Sequence, residues 1–238
     1  MNNATSPLTP HPASSQDSAQ VFRFGGAGTV LLIALLLFVG LHPLLLGGVQ
    51  ARIAGGLIVA VILVAGTIAA SRSRWLRMIG FGLAIIAFGL QVNWLATGNT
   101  DIEAAMMVVF AVFCLYTAVI ILRHVLGFGP LYAGRVHAAL SVYILIALAF
   151  AGAYSTIEIV SPGAFSIPVA SKAPEGSYLL AQMLHLSMAT LTSTGFGDVT
   201  PLAPFARSLN QLEQLTGVFY IAVLISRLVG LYPTEDRV

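Results

Sequence analysis

The sequence predicts an all-α integral membrane protein: six transmembrane helices, with a shorter re-entrant helix between the fifth and the sixth. Three observations carry that prediction. Of 238 residues, 58% are hydrophobic and only 8% are charged, against about 25% charged in an ordinary soluble domain. Six apolar runs have roughly the length, about 20 residues, that spans the hydrocarbon layer. Between the last two lies an apolar stretch too short to cross, which ends in a polar segment punctuated by glycines.

Composition also excludes several functions. A formal net charge of +2 with no dense basic cluster argues against a nucleic-acid partner. The single cysteine, Cys114, lies in an apolar run and excludes an intrachain disulfide or a cysteine metal cage; it reads as a small buried filler. No nucleophile, general base or metal cluster stands at a useful spacing, so neither an enzyme nor an organic cofactor is expected.

Taken in order, residues 1–22 are rich in Ser, Thr, Pro, Asn and Gln and read as a disordered cytoplasmic tail. They lack the basic segment and cleavage site of a removed signal. Residues 23–134 then form a four-helix N-terminal membrane region, with spans at about 26–46, 53–70, 76–96 and 104–122. His42 and Pro43 fall near the outer end of the first span. Trp75 and Trp94 bracket the third, where amphipathic rings favour the membrane interface. Gln91 and Asn93 read as interhelical or interface residues, and His124 and His137 as solvated residues flanking a loop. The fifth span covers about 137–160.

The pattern breaks at residues 161–176, where Pro, Ser, Ala and Gly with Lys172 and Glu175 predict an exposed loop. Residues 177–191 predict a short helix that cannot span. Irregular backbone after such a helix is tolerated at membrane depth only where protein or a water-filled cavity surrounds it. A sixth span follows at about 208–231, then a short cytoplasmic tail at 233–238.

Basic residues concentrate on the cytoplasmic side of membrane proteins. With both termini cytoplasmic, the inner face receives Arg23, Arg72, Arg74, Arg77, Arg123, Arg135, Arg227 and Arg237, and only Arg52, Lys172 and Arg207 fall outside. The short loops and this layout suit a multi-pass protein of a bacterial inner membrane.

The polar stretch after the short helix reads Thr190-Leu191-Thr192-Ser193-Thr194-Gly195-Phe196-Gly197-Asp198. It resembles the selectivity filter of the tetrameric potassium channels, in which Thr-Leu-Thr-Thr-Val-Gly-Tyr-Gly-Asp closes a pore helix and lines the ion path. Gly127-Phe128-Gly129 shares the glycine-flanked aromatic but has no short helix before it. The resemblance extends over residues 135–232, the pore module, through Leu140-Ser141-Val142-Tyr143-Ile144-Leu145, Ser161-Pro162-Gly163-Ala164-Phe165 and the final helix from Gly217 to Gly230. These look like a bacterial branch of the family.

The chemistry accounts for those residue types. A cation crosses quickly when rings of backbone carbonyls replace its water shell. Consecutive inward carbonyls need alternating backbone conformations, and Gly195 and Gly197 reach positive φ without steric cost. The resemblance implies that the backbone oxygens of Ser193, Thr194, Gly195 and Phe196, followed by Gly197 and joined by the Ser193 hydroxyl, coordinate potassium. Thr190, Thr192, Asp198 and Glu213 are expected to support the filter, with Asp198 at the outer mouth. Gly217 is a candidate gating bend in the inner helix, or a small residue for close helix packing. The C-terminal end of the pore helix, near Leu191, is expected to aim its negative partial charge at the central cavity.

Three departures from the family pattern bear on function. Ser193 keeps a hydroxyl but loses the methyl of threonine; Thr194 replaces an aliphatic residue, and Phe196 lacks the tyrosine hydroxyl. Ala189 stands where some relatives place a glutamate partnering the filter aspartate, and His185-Leu186 where an aromatic is frequent. One loop per chain implies a homotetramer in the lipid bilayer, with K+ in the filter and no other metal. The fourth span has no arginine repeat to move through the field, where each charge is worth about 2.3 kcal/mol per 100 mV, so steep voltage gating is not expected. A weakly selective cation channel and a non-conducting regulatory subunit with the same fold remain the alternatives.

Overall fold

The computed structural model describes residues 15–41, 65–66, 74–127, 133–168 and 177–229. The described elements are α1 (Ser15–Leu41), α2 (Arg74–Thr97), α3 (Thr100–Leu126), α4 (Ala133–Val160), β1 (Phe165–Ser166), α5 (Ser177–Leu191), β2 (Thr200–Pro201) and α6 (Pro204–Val229). The expected second span, 53–70, lies almost wholly outside the described residues.

Helix α1 starts at Ser15, so residues 15–22 are helical rather than part of a disordered tail. Ser15 is a favourable N-cap type, and no proline interrupts the chain from there into the apolar run. Between α2 and α3 the chain turns at Gly98, φ +62°, and Asn99 caps α3 by accepting the Asp101 N–H at 2.8 Å.

Among the described residues, three helices are long and apolar enough to cross a membrane: Arg74–Thr97, Thr100–Arg123 within α3, and Gly134–Val160 within α4. Helix α6 has 26 residues, with Arg207, Asn210, Gln211, Glu213 and Gln214 in its first half and an apolar run from Val218 to Ile225 in its second. Helix α4 is the centre of the molecule, packing against α1, α3, α5 and α6. Val142, Leu145, Leu148, Ala151 and Tyr154 on it are fully buried. Gly152 lets α3 approach closely, since a Cβ there would lie 3.1 Å from Ala111 Cβ.

Two expectations change in this part of the molecule. His137 is a half-buried residue of α4 whose Nδ1 meets Thr29 Oγ1 at 2.8 Å, tying α1 to α4 instead of lying solvated in a loop. Trp75 is exposed, but Trp94 is buried and hydrogen-bonds Glu103; a buried carboxylate takes the indole N–H inward.

The loop after α4 is partly built. Both oxygens of Glu158 accept backbone N–H groups, from Gly163 at 2.8 Å and Phe165 at 2.9 Å. That places β1 antiparallel to β2, Phe165 opposite Pro201. Ala164 and Phe165 are buried, so this part of the expected exposed loop is a strut beneath the segment that follows α5.

Candidate functional site

Helix α5 is an apolar 15-residue helix held between α4 and α6. Its last four carbonyls have no partner within the helix itself and must find donors elsewhere. Each has one. Met188 O accepts the Thr192 N–H at 3.1 Å, and Ala189 O accepts the Thr194 and Gly195 N–H groups at 2.8 and 3.2 Å. Thr190 O accepts the Ser193 N–H at 3.0 Å, and Leu191 O accepts the Tyr143 hydroxyl of α4 at 2.8 Å. The negative end of α5 is therefore shared with four backbone N–H groups and two hydroxyls, those of Tyr143 and Thr192.

The chain leaving α5 alternates in backbone hand. Ser193 has φ +57°, Gly195 +59° and Gly197 +78°, while Thr194 and Phe196 between them stay negative. The two glycines do what their lack of a Cβ allows. Ser193 is the exception, because a left-handed conformation costs an L-residue roughly 1–2 kcal/mol. It occupies the place after a helix end where glycine is usual, so a hydroxyl is kept there against the local preference. Residues 192–198 are all exposed in the single chain, with Phe196 67% exposed.

The far end of the segment after α5 is pinned by α5 itself. His185 Nε2 lies 3.0 Å from Asp198 Oδ2, and the same imidazole stacks on Phe196 with centroids 5.3 Å apart and planes 16° apart. The aspartate thus has a histidine as its partner, one turn before Ala189. A groove of about 740 Å³ runs between this segment and α6, lined in part by Phe196, Asp198, Gln214 and Val218.

Beside this segment is a buried polar network joining α4, α5 and α6. Glu213 of α6 is fully buried. Its Oε2 accepts the Tyr154 hydroxyl at 2.5 Å, and its Oε1 meets the Ser187 hydroxyl of α5. Ser187 also lies 2.8 Å from the Ala147 carbonyl of α4. Asn210, one turn before Glu213, donates to Thr190 Oγ1 at 2.9 Å and contacts the Tyr154 hydroxyl at 3.5 Å. A buried polar group without a partner is costly, whereas a fully connected network orders its members. This one reaches from α4 to Thr190, near the end of α5.

Gly217 sits against the end of α5. A Cβ there would lie 2.4 Å from Leu191 O and 3.1 Å from Leu191 C and Cα, so the glycine admits the α5 backbone directly against an unbroken α6. Below it, the Tyr220 hydroxyl donates to Ala139 O at 2.5 Å, and its ring packs on Tyr143 at 5.5 Å.

The structure brings Thr190 and Glu213 into one network through Asn210 and Tyr154, and places Thr192 beside Thr194. Asp198 is separate, held by His185. Sequence reasoning missed Tyr143, Tyr154, Ser187 and Asn210. Asn210 carried a signal, since residues three apart share a helix face and Glu213 had been singled out. The two tyrosines and Ser187 lie in apolar helices with no local pattern to mark them. Among the described residues no group of His, Cys, Asp and Glu is arranged to hold a metal ion.

Residues 140–232 match the family model described as ion channel. Protein LctB of Bacillus caldotenax is 33% identical over 87 residues, which cover 37% of this chain and 64% of that protein. The chain thus matches less than two thirds of that relative's length. No solved structure matches.

Proposed function

With residues 140–232 forming an ion-channel module, we propose that the protein conducts K+ passively through a homotetrameric pore. Four copies of the segment from Ser193 to Gly197 line that pore. The observation that carries this reading is the alternation of positive φ at Ser193, Gly195 and Gly197. Alternating hand is what turns successive carbonyls to one side, and rings of such carbonyls replace the hydration shell of a cation. One chain supplies one side of such a ring, and residues 192–198 are exposed in it, as a surface completed by other copies would be.

In this reading the chain crosses an inner membrane six times with both termini cytoplasmic. Helix α5 is re-entrant, and α6 is the inner helix. The polarity of α6 suits a helix that faces a hydrated path and a buried network instead of lipid. Asp198 and His185 stand at the outer mouth. No arginine repeat occurs in α3, so conduction is not steeply voltage-dependent.

Ion flux from proteoliposomes containing the purified protein tests the reading. Potassium and then sodium gradients are imposed on wild type and on Gly195→Ala. Potassium flux that the substitution abolishes is the expected result. Equal sodium flux would replace the reading with a weakly selective cation channel, and no flux in any gradient would favour a non-conducting subunit.

A further inference from the structure

Phe196 offers no hydroxyl to the pore helix, yet the back of the filter is tied to that helix by another route. Thr192 Oγ1 lies 2.7 Å from the Met188 carbonyl, and Thr194 Oγ1 lies 2.8 Å from Thr192 Oγ1. A carbonyl oxygen only accepts, and a hydroxyl has one proton to give. The Thr192 proton therefore goes to Met188, and the proton between the two threonines comes from Thr194. The relay runs from Thr194 through Thr192 to the last turn of α5.

We propose that this relay makes Thr194 a positioning residue that sets cation specificity. Its hydroxyl is committed to the pore helix, which leaves its backbone carbonyl as the atom offered to an ion, and the relay holds that carbonyl in place. The inference deepens the potassium reading and rests on it. Backbone and side chain act on the same point: the Thr194 and Gly195 N–H groups both reach Ala189 O, at 2.8 and 3.2 Å. Four backbone bonds and one side-chain relay thus fasten residues 192–195 to one turn of helix. A β-branched side chain is already restricted at χ1, and the hydroxyl bond selects one of its rotamers.

An aliphatic residue at 194 could fill the same space but could not donate. The tether is therefore local to each subunit, whereas an aromatic hydroxyl would have acted from the outer half of the filter. A K+ over Na+ preference requires that the carbonyl ring resist closing around the smaller ion. A relay anchored on a helix end supplies that resistance where the usual hydroxyl is lacking.

The test is the reversal potential of purified protein in planar bilayers under opposed K+ and Na+ gradients. Wild type is compared with Thr194→Val, Thr194→Ser, Thr192→Val and the double valine variant. Thr194→Val is expected to lower the K+/Na+ permeability ratio about fivefold, the factor one net hydrogen bond is worth. Thr194→Ser, which keeps the donor, should hold the ratio near that of wild type. Thr192→Val should match Thr194→Val, and the double variant should be no worse than either, because one relay is being cut twice. Oligomer size and thermal midpoint are measured for each variant, so that lost assembly is not counted as lost selectivity. If Thr194→Val fails to assemble, the serine and Thr192→Val variants decide. An unchanged ratio in an intact valine variant, or a serine variant that behaves like valine, overturns the relay. A wild type without K+ preference overturns the potassium reading itself, and the relay with it.

Discussion

Tyr154 and Glu213, 59 residues apart in sequence, meet through a hydrogen bond of 2.5 Å with neither side chain in contact with solvent. The bond joins α4 to α6, and Ser187 brings α5 to the same carboxyl group. Ser187 has one proton but two oxygen partners, Glu213 Oε1 and the Ala147 carbonyl. All the contacts are satisfied together when Ser187 gives its proton to the carbonyl and a protonated Glu213 donates to Ser187.

That count separates two substitutions. Glutamine at 213 can donate its amide to Ser187 and accept from Tyr154, so Glu213→Gln should cost about 1 kcal/mol or less. Alanine leaves a cavity and unpaired hydroxyls, and Glu213→Ala should cost about 3 kcal/mol or more. Thermal unfolding of the purified assembly reads the difference. Equal losses for the two variants would mean that the charge, not the hydrogen-bond count, holds the network.

Gly217→Ala is a second case where geometry sets the sign. The added methyl would meet Leu191 O at 2.4 Å, a backbone atom at the end of the pore helix that cannot rotate away. Overpacking of this kind costs about 1–3 kcal/mol. The variant should lose stability and flux together. A variant of unchanged stability with altered opening would instead support a bend at this position.

How much of this could be read from the chain depends on whether the signal was local. The short helix before a glycine-punctuated segment was legible because Gly195 and Gly197 are the residues that positive φ selects. The left-handed Ser193 was not, since nothing in its side chain announces that it sits where glycine is usual. Glu213 stood out as a charge in an apolar run, but Tyr154 and Ser187 are 59 and 26 residues away from it and become partners only when α4, α5 and α6 pack. His185 was noted as unusual, yet only its 3.0 Å approach to Asp198 shows what it does. In the N-terminal region hydropathy marked the apolar runs but not where α1 begins.

Ser193→Gly tests whether the serine is kept for its hydroxyl. Removing a side chain from φ +57° relieves local strain of about 1 kcal/mol. Part of that gain is offset by the greater freedom of glycine in the unfolded chain. Stability should therefore change little or rise. If the proposed tetrameric potassium pore holds, potassium flux should fall, because each copy loses a hydroxyl from the inner end of its ion path. A glycine variant with full flux and unaltered selectivity would show that this hydroxyl is not an ion ligand.

The last prediction concerns the cytoplasmic end of α6 in the proposed topology. Arg227 of α6 and Arg135 of α4 both donate to the Gly127 carbonyl, immediately after α3. One carbonyl has two lone pairs, and here two guanidinium groups use them. A carbonyl that follows the C-terminus of a helix also carries part of the helix's negative end, which favours cationic donors. The contact links the end of the inner helix to the N-terminal helices, 100 residues earlier in the chain. Any movement of that end away from the α3–α4 junction must break it. Arg227→Gln shortens the reach and removes the charge while keeping a polar side chain, and it should shift the balance toward a displaced inner helix. The expected result is higher potassium flux at equal protein, with the thermal midpoint lowered by no more than a surface or half-buried contact allows, about 1–2 kcal/mol in free energy. Arg135→Gln alters the same carbonyl from the outer-helix side and leaves α6 its own bond, so its effect on flux should be smaller. Equal effects of the two variants on flux would place the control in the α3–α4 junction itself, and no effect of Arg227→Gln would remove the inner-helix contact from gating.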